Sequence, residues 1–470
     1  MQGTPPPGTF QGNHAVVIGA SISGLLAARV LSSHFDQVTL FDRDSLPSTI
    51  ENRRGVPQGR HGHGLLASGL HGLKTLFPSL ERELLEAGAV PGDVIGNMKW
   101  YQHGYFKAKF KSGLDGLLLS RPLLEVTLRA IVQRIPNVTI VHGAHVQGLL
   151  ASERRVEGLR IQCGADHLRV PADLVIDAAG RASRTPEWLV LLGYQPPAVD
   201  EVHCGIGYTT RVYRRRPRDL GGDMGMIIAP KPPRDQRMGF MLAMEGNRWM
   251  VTTGGWNGNH APTDPRGYLE FVRKLARRDI YDVIKDAEPL TEPTKFEFPS
   301  SLRRRYEGLT QFPGNYLVMG DALSSFNPLY GQGMSVAVLE ALALADCLRT
   351  QPNVEQLWRP FFKEAGRIVD TPWMIAAGSD FAYEGVTGTA PRGIGFTNWY
   401  MARVHEAAAK DQKVCRAFFD VANLLRPATT LFHPVILARV WRECWALRGP
   451  LAIGGTGFDS TQRGRMIETH

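Results

Sequence analysis

The pattern of apolar and polar residues near the start of the chain predicts a strand, a helix and a second strand. The apolar run Ala15–Ile18 is typical of a buried strand, Leu25–Leu31 of a helix, and Gln37–Phe41 of a further strand. The glycine-rich turn Gly19–Gly24 lies between the first strand and the helix. A strand that leads through such a turn into a helix directs free backbone N–H groups and the positive end of the helix dipole toward an anion. This stretch therefore predicts a phosphate-binding site.

The pattern changes further along the chain. A second apolar run at Ala172–Ala179 predicts another buried strand. Short alternating runs separated by turns then predict a β-sheet, at Ile206–Tyr213, Met224–Ile228, Gly239–Met244 and Trp249–Thr253. A strand at Tyr316–Met319 precedes an apolar helix at Met334–Leu348. The remainder is predicted to be mostly helical, at Val354–Ile375, Asn398–Leu425 and Pro434–Leu447.

The first glycine turn nearly matches the dinucleotide-binding pattern G-x-G-x-x-G, with Ser21 at the second glycine position. Serine is small enough for this position, and its hydroxyl can donate to a phosphate. Asp42 ends the second predicted strand, where a carboxylate accepts hydrogen bonds from an adenosine ribose. Aspartate there favours FAD or NAD over a cofactor with a 2′-phosphate. The alternative is an ordinary strand–helix turn whose small residues serve packing.

A second turn of the same kind lies at Gly320–Met334, between the strand Tyr316–Met319 and the helix Met334–Leu348. The N–H groups at the start of that helix can face an anionic group, and Asp321 is placed to bind hydroxyls. Two such turns, far apart in sequence, can hold opposite ends of one long cofactor.

Composition narrows the classes of function. The chain has 470 residues, of which 43% are hydrophobic and 21% charged, as in an ordinary globular protein of two or three domains. The net charge is +9, and arginine, which forms only short runs, dominates it; no nucleic-acid-binding module is recognisable, so no nucleic-acid partner is expected. The five cysteines are dispersed without a C-x-x-C pair, which is typical of reduced thiols and favours a cytoplasmic location.

Neither a membrane span nor a metal site is predicted. Residues 1–13 are rich in proline and glycine, lack the apolar segment of a secretory signal, and are expected to be disordered. No apolar run reaches the roughly 18 residues of a membrane span, which leaves peripheral membrane contact open. His61 and His63 lie in the glycine-rich loop Arg53–Gly64, and their spacing without nearby carboxylates does not indicate metal binding.

Three motifs occur in the order found in flavoprotein monooxygenases of the para-hydroxybenzoate hydroxylase fold, and the chain resembles that family from Val16 to Arg349. The motifs are Gly19–Gly24 with Asp42, ADLVIDAAGRASR at Ala172–Arg184, and GDALSSFNPLYGQGM at Gly320–Met334. Within the family, the chain is most similar to bacterial epoxidases of polyether-ionophore biosynthesis, which are themselves similar to squalene epoxidase. This subgroup is indicated by RRGVPQGRHGHGLLASG, SLRRRYEGL and LVMGDALSSFNPLYGQGMSVAVLEALALA.

The resemblance implies non-covalently bound FAD and a set of residues around it. The implied FAD-binding residues are Gly19, Ser21, Gly24, Asp42, Arg43, Arg121, Val146, Asp321, Gly333 and Met334. The implied contacts of the flavin ring are Pro328, Gly331, Gln332, Gly333, Met334 and His61. The candidate substrate-wall residues are Phe326, Tyr330, Met226, Met241 and Trp256.

The resemblance also implies the chemistry. Reduced FAD adds dioxygen to form a C(4a)-hydroperoxide, whose distal oxygen is transferred to an electron-rich carbon of the substrate. An alkene attacks that oxygen without a protein base, and no paired carboxylates or Ser-His-Asp set stand out in the sequence, which favours epoxidation of a hydrophobic polyene or polyketide-like substrate in antibiotic biosynthesis. The substrate arrives free or on a carrier protein. Ala179 replaces the aspartate that many hydroxylases have before Gly180, so electrons come either from NAD(P)H directly or from a separate flavin reductase.

Other functions on this fold remain open at this point. They are aromatic hydroxylation, alkene saturation of the geranylgeranyl reductase type, and a non-catalytic flavin-binding role. Halogenation is disfavoured because the sequence has no W-x-W-x-I-P motif.

The expected fold is therefore α/β, with a Rossmann-like FAD-binding domain, an inserted β-sheet substrate domain and a helical C-terminal region. The expected boundaries are a disordered segment at 1–13, the first part of the FAD-binding domain at 14–200, the substrate domain at 201–300, the last part of the FAD-binding domain at 301–350 and the helical region at 351–470.

Overall fold

The computed structural model describes residues 11–152 and 154–446. Within them the strands are β1 (Gly12–Ile18), β2 (Phe35–Asp42), β3 (Val90–Asp93), β4 (Met98–Gln102), β5 (Tyr105–Phe106), β6 (Asp115–Leu118), β7 (Val138–His142), β8 (Ala144–Ala151), β9 (Val156–Cys163), β10 (Asp166–Pro171), β11 (Leu174–Asp177), β12 (Val199–His203), β13 (Ile206–Arg214), β14 (Gly225–Ile228), β15 (Arg237–Met244), β16 (Arg248–Gly255), β17 (Thr294–Phe298), β18 (Ser301–Arg304), β19 (Tyr316–Val318), β20 (Ser324–Ser325) and β21 (Thr387–Gly388).

The helices of the same residues are α1 (Ile22–Leu31), α2 (Ala67–Leu76), α3 (Leu80–Glu86), α4 (Arg121–Gln133), α5 (Thr185–Leu191), α6 (Pro265–Arg273), α7 (Asp279–Ile284), α8 (Gly333–Thr350), α9 (Trp358–Asp380), α10 (Ile394–Ala407), α11 (Gln412–Ala422) and α12 (Pro434–Ala446). None of these helices combines the length and apolar content that a bilayer span needs.

Five strands form a parallel sheet in the order β19–β11–β1–β2–β7. Its central strands carry almost uninterrupted apolar side chains because both faces are covered, and α1 packs against α8 and α4. In a parallel sheet the carboxyl ends of the strands meet at one edge. The turns that follow β1, β11 and β19 and the last residue of β2 are thereby brought together, although β1 and β19 are far apart in sequence. The predicted α/β fold is confirmed.

The second large sheet has seven strands in the order β17–β13–β16–β15–β14–β4–β5. The prediction placed this sheet within residues 201–300, but β4 and β5 come from residues 98–106, and β4 pairs in parallel with β14. The predicted boundary is wrong here because these two short strands carry no long-range signal in the sequence. Only their pairing assigns them to this sheet.

Two further boundaries need correction. The segment expected to be disordered was drawn to residue 13, but β1 begins at Gly12, which pairs with Phe35 of β2; residues 1–10 lie outside the described residues. The helix predicted at Asn398–Leu425 is two helices, because the Asp411 carboxylate accepts hydrogen bonds from the first N–H groups of α11 and so starts a new helix. Leu447, the predicted end of the last helix, also lies outside the described residues.

Candidate active site

A cavity of about 620 Å³ runs along the edge where the parallel strands end. Its walls include both glycine turns, the first turn after β1 and the second before α8, together with one end of β17 from the seven-stranded sheet. The cavity thus joins the two turns that the sequence analysis singled out.

The first turn depends on close backbone contact. Gly19 has a φ of +97°, and a side chain on it would lie 2.7 Å from the carbonyl oxygen of Ala178. A Cβ atom on Gly24 would lie only 1.8 Å from the carbonyl oxygen of Gly19. Gly19 lines the cavity, whereas Gly24 does not and instead lets α1 approach β1. The two glycines therefore have different tasks, one at the cavity and one in packing.

Ser21 lines the cavity and is held by two charged side chains of α4. The Nη2 atom of Arg121 donates to the Ser21 hydroxyl at 3.0 Å, and this hydroxyl donates to the Glu125 carboxylate at 3.4 Å. The Nε atom of Arg121 is buried and lies 3.5 Å from Oε2 of Glu125, without a hydrogen bond to a described residue. Burial lowers the pKa of Arg121, although the nearby Glu125 opposes the shift. A buried guanidinium with an unused donor beside a glycine turn fits an anionic ligand.

Asp42 also faces the cavity, and part of its bonding capacity is already used. Its Oδ2 atom accepts from the backbone N–H of Ala20 at 2.8 Å, and the Nη1 atom of Arg53 lies 3.3 Å from both carboxylate oxygens. Arg53 is the residue that the sequence analysis missed here. It also pairs with Asp44 at 3.0 Å and with Glu125 at 2.7 Å, which joins the end of β2 to α4. The arginine-rich loop that begins at Arg53 gave no indication of these partners.

The other two predicted residues at this end are Arg43 and Val146, and both line the cavity. Arg43 is exposed, and Val146 lies on β8 beside His145 and Gln147, which also line it. The structure thus gathers the predicted adenosine-end residues, except Gly24, around one end of the cavity.

The second turn places Asp321 at the start of α8. Gly320 has a φ of +67°, and a Cβ on Gly333 would lie 3.7 Å from Oδ1 of Asp321. The Asp321 carboxylate lines the cavity and accepts no hydrogen bond from a described residue. Burial raises its pKa, while the charges of Arg121 and Arg181 oppose that rise. Asp321 is therefore a polar group with free acceptor capacity, which suits a ligand that carries hydroxyls.

Glu340 of α8 stabilises this turn by a hydrogen bond to its backbone. Its Oε2 atom accepts from the backbone N–H of Gly320 at 2.6 Å, while its Oε1 atom is buried without a partner among the described residues. Burial raises the pKa of Glu340 to about 8. Glu340 is therefore protonated at neutral pH, and it carries no charge next to Asp321.

This shift predicts a pH dependence of stability. In the unfolded chain Glu340 ionises near its ordinary pKa of about 4.3, whereas in the folded protein it stays protonated until about pH 8. The free energy of unfolding should therefore fall between these two values in the wild type, because ionisation favours the unfolded state. Because glutamine does not ionise, we expect Glu340→Gln to lack this decrease in the free energy of unfolding. The unfolding temperature of the variant, relative to that of the wild type, should therefore increase as the pH rises to about 8. Thermal denaturation across this range, with Asp346→Asn on the exposed face of α8 as the control, measures it. A constant difference from the wild type would contradict the assignment.

The predicted ring-contact residues Pro328, Gly331, Gln332, Gly333 and Met334 all line the cavity. Gly331 has a φ of +67°, and a Cβ on it would lie 3.1 Å from Cα of Gly64. The loop that ends at Gly64 therefore packs directly on the turn before α8.

The prediction for His61 is corrected. Its side chain is buried away from the cavity, with Nδ1 2.8 Å from the Thr210 hydroxyl and its ring edge-on to Tyr208 at 4.9 Å. His63 lines the cavity instead. Residues two apart in a regular extended strand share one side, so the loop departs from that alternation here, and only the tertiary packing decides which histidine lines the cavity.

His63 is a neutral imidazole in the cavity wall. Its Nδ1 atom lies 2.9 Å from the carbonyl oxygen of His61, which can only accept, so Nδ1 carries the proton and Nε2 is free of one. Burial and the nearby Arg121 charge lower the pKa of His63 to about 3. This imidazole is therefore a hydrogen-bond acceptor and a weak base.

Of the predicted substrate-wall residues, only Phe326 lines the cavity. Met226 and Met241 face each other across β14 and β15 in the buried core of the seven-stranded sheet, because these positions turn toward α6 and α7. Tyr330 and Trp256 instead donate hydrogen bonds to Asp380, at 3.2 and 2.9 Å.

The apolar wall that the sequence analysis missed is formed by Phe296 and Phe298 of β17. The alternation in Thr294–Phe298 was the available signal, since residues two apart on a strand share one face. Arg181 stacks over Phe298 at 5.5 Å and donates to Ser325 at 3.0 Å, which places a cation beside this wall.

The loop Ala179–Arg181, in the second motif, also lines the cavity. Asp177 at the end of β11 holds the loop, because its carboxylate accepts from the backbone N–H of Ala179 at 2.8 Å and from the Ser183 hydroxyl at 2.5 Å. Asp177 is thus the acid of this motif that stabilises the loop, while Ala179 faces the cavity.

Comparison with known proteins identifies relatives. No family model matches the chain. The chain is 34% identical over 398 residues to protein Rv3254 of Mycobacterium tuberculosis, covering 80% of this chain and 81% of that protein. It is 25% identical over 363 residues to a kynurenine 3-monooxygenase of Salinispora tropica, covering 72% and 73% of the two chains.

Solved structures share the fold at low sequence identity. A flavoprotein/dehydrogenase of Cytophaga hutchinsonii superimposes with a TM-score of 0.65 at 14% identity, over 93% of this chain and 100% of that one. The p-nitrophenol 4-monooxygenase PnpA of Pseudomonas putida gives 0.63 at 16% identity, over 88% and 98%. PqsL of Pseudomonas aeruginosa, a probable FAD-dependent monooxygenase, gives 0.58 at 14% identity, over 87% and 99%. The chain therefore belongs to the same family as protein Rv3254, and it has the fold of the FAD-dependent monooxygenase enzymes.

Proposed function

We propose that this protein is an FAD-dependent monooxygenase that epoxidises an alkene of a hydrophobic, polyene- or polyketide-like substrate. The observation that carries this proposal is one cavity that contains both glycine turns, a free carboxylate and an apolar aromatic wall. The aromatic wall consists of Phe296, Phe298 and Phe326, which suits a substrate with little polar surface.

The residues of the cavity fit FAD in an extended form. We propose that Gly19, Ser21 and Arg121 bind the pyrophosphate, since they combine backbone N–H groups with an incompletely satisfied guanidinium. In the same arrangement Asp42 accepts from the adenosine ribose, Val146 lies along the adenine, and Asp321 accepts from hydroxyls of the ribityl chain. The turn Gly331–Met334 then lies against the flavin ring.

When bound and reduced, FAD supplies an electrophilic oxygen atom taken from dioxygen. The electrons come from NAD(P)H or from a separate flavin reductase. The protein's own part is to bind the substrate against the aromatic wall and to exclude water from the ring end. Packing of Gly64 on Gly331 supports that second role, because it closes the cavity on the side of the loop.

The preference for epoxidation over phenol hydroxylation rests on the protein groups that line the cavity. Hydroxylation of a phenol gains from a base that removes the phenolic proton, and a useful base has a pKa near the working pH. His63 lines the cavity near Arg121, and with a pKa of about 3 it is a poor base. An alkene needs no deprotonation, so this environment favours an alkene substrate.

Aromatic hydroxylation is the second candidate. It is favoured by the 25% identity to a kynurenine 3-monooxygenase, a protein named for oxygen insertion into an aromatic compound. The two candidates differ in the substrate that receives oxygen and not in the cofactor.

Labelling with ¹⁸O₂ tests the proposal. The purified protein, loaded with FAD and supplied with NAD(P)H and a flavin reductase, is incubated with polyenes, linear polyketides and phenols. We expect mass spectrometry to find one labelled oxygen in an epoxide of a polyene or polyketide. Label found only in phenols would select aromatic hydroxylation instead. Turnover of an alkene without oxygen would indicate a reductase, and FAD binding without oxygen uptake on any substrate would indicate a non-catalytic flavoprotein; both outcomes would contradict the proposal.

A further inference from the structure

A buried carboxylate lies next to the ring-end turn, residues Asn327–Gly331, and contacts three parts of the chain. Asp380 is the last residue of α9 and is fully buried. Its Oδ1 atom accepts from Nε1 of Trp256 at 2.9 Å, from Nδ2 of Asn327 at 3.0 Å and from the hydroxyl of Tyr330 at 3.2 Å. The Cys204 thiol also faces this carboxylate. One carboxylate thus accepts hydrogen bonds from residues at the C-terminal end of β16, in the ring-end turn and at the end of β12.

Two of these donors belong to the turn that enters α8. Asn327 and Tyr330 flank the short helical turn Pro328–Tyr330, which is followed by Gly331 in the left-handed conformation. Asn327 is fixed at three atoms, because its N–H donates to the Ser301 hydroxyl at 3.0 Å and its Oδ1 accepts from the N–H of Leu329 at 3.1 Å. The carboxylate of Asp380 holds the third atom, Nδ2. Asp380 therefore helps to fix the positions of Asn327 and Tyr330, and through them the backbone of the turn.

The third donor connects the turn to the second sheet. Trp256 follows β16 directly, and its indole stacks on Tyr383 at 4.5 Å. Asp380 thereby ties the ring-end turn to the same sheet that provides the aromatic wall through β17. These hydrogen bonds to one side chain therefore contribute to the distance between the turn and that wall.

A buried carboxylate is costly unless donors satisfy it. Burial raises the pKa of Asp380 to about 6, and the donors Trp256, Asn327, Cys204 and Tyr330 oppose a larger rise. The arrangement is consistent with an ionised acceptor at neutral pH. None of these contacts is needed to complete α9 or the sheets, since all of them are made by side chains.

We propose that Asp380 is a positioning residue that holds the turn Asn327–Gly331 in the conformation that receives the flavin ring. This inference rests on the proposed function for the identity of the ligand, but not for the ordering of the turn. Asp380 lies outside the cavity lining, so it acts through Asn327 and Tyr330 and not by contact with the cofactor.

The test compares Asp380→Asn with the wild type and with Glu364→Gln, a change of a half-exposed acid on the same helix. The asparagine places an N–H₂ group against other donors, so it breaks part of the set while keeping the shape. We expect hydrogen exchange of the amides in residues 329–331 to become about tenfold faster in the protein without FAD. We also expect the FAD dissociation constant, from quenching of flavin fluorescence, to rise about tenfold and the visible absorption band of bound flavin to shift. Glu364→Gln should show none of these changes.

A second variant keeps the proposal testable if Asp380→Asn does not fold. Trp256→Phe removes one donor and keeps an aromatic ring on Tyr383, and we expect smaller changes in the same direction. Unchanged exchange at 329–331 in a folded variant would overturn the inference. The exchange readout is independent of the cofactor, so a wild type that fails to bind FAD would contradict the proposed function while leaving this result interpretable.

Discussion

Gly24→Ala is expected to yield a protein that purifies without FAD and unfolds at a markedly lower temperature. The added Cβ would lie 1.8 Å from the carbonyl oxygen of Gly19, far inside van der Waals contact, and that atom is backbone and cannot rotate away. Relief requires α1 to move off β1, although nearly every residue of α1 is buried in the core. Overpacking of this kind costs about 3 kcal/mol or more. The same movement would displace the N–H groups after Gly19 that we propose for the pyrophosphate.

Thermal denaturation and the ratio of flavin to protein absorbance measure both effects. Gly395→Ala is the matched control, because Gly395 is exposed in α10 and a Cβ there meets nothing within 4 Å. Alanine in a helix removes backbone entropy from the unfolded state, so this variant should be neutral or slightly stabilised. A Gly24→Ala protein with wild-type stability and full flavin content would show that the α1–β1 contact is not as close as described.

Asp321→Ala is expected to weaken FAD binding without lowering the stability of the protein in the absence of FAD. The carboxylate is half-buried, carries a raised pKa and accepts no hydrogen bond from a described residue, so in the protein without FAD the charges of Arg121 and Arg181 offset its desolvation only in part. A raised folded-state pKa means that Asp321 lowers the free energy of unfolding at neutral pH. Its removal should leave the unfolding midpoint unchanged or higher. FAD would lose a charge-assisted hydrogen bond, and we expect the dissociation constant to rise by about one order of magnitude or more.

Titration with FAD, followed by fluorescence quenching, and thermal denaturation without FAD provide the two readouts. Asp321→Asn is the companion variant, since the amide keeps an acceptor oxygen without the charge, and an intermediate loss of affinity is expected. Wild-type affinity in Asp321→Ala would remove Asp321 from the proposed site. Lower stability without FAD would show instead that the carboxylate supports the fold.

The two turns could be predicted from the sequence because each is a local signal. A buried strand, glycine at positions of close approach and an apolar helix follow one another within about 20 residues at Gly19–Gly24 and again at Gly320–Met334. The α/β fold followed from the same periodicity. The residues predicted from the turns, apart from Gly24 and Tyr330, face one cavity because parallel strands bring their carboxyl ends to one edge.

What failed were predictions about the direction of single side chains and about distant pairing. His61 and His63 are equivalent in sequence, yet only His63 lines the cavity. Met226 and Met241 have the pattern of a sheet face, but that face packs on α6 and α7. The strands at 98–106 joined the second sheet through pairing with β14, which no local pattern specifies.

The sequence by itself determined the fold class, both glycine turns and the chemical character of the ligand that suits them, since backbone conformation at glycine and apolar periodicity are properties of neighbouring residues. The tertiary structure alone decided which groups meet: Arg53 with Asp42 and Glu125, the aromatic wall of β17 with the cavity, and the donors with Asp380 beneath it. The contact of Trp256 with Asp380, for example, joins residues 124 positions apart, and the energies of such contacts depend on burial and distance, which exist only after the chain has folded.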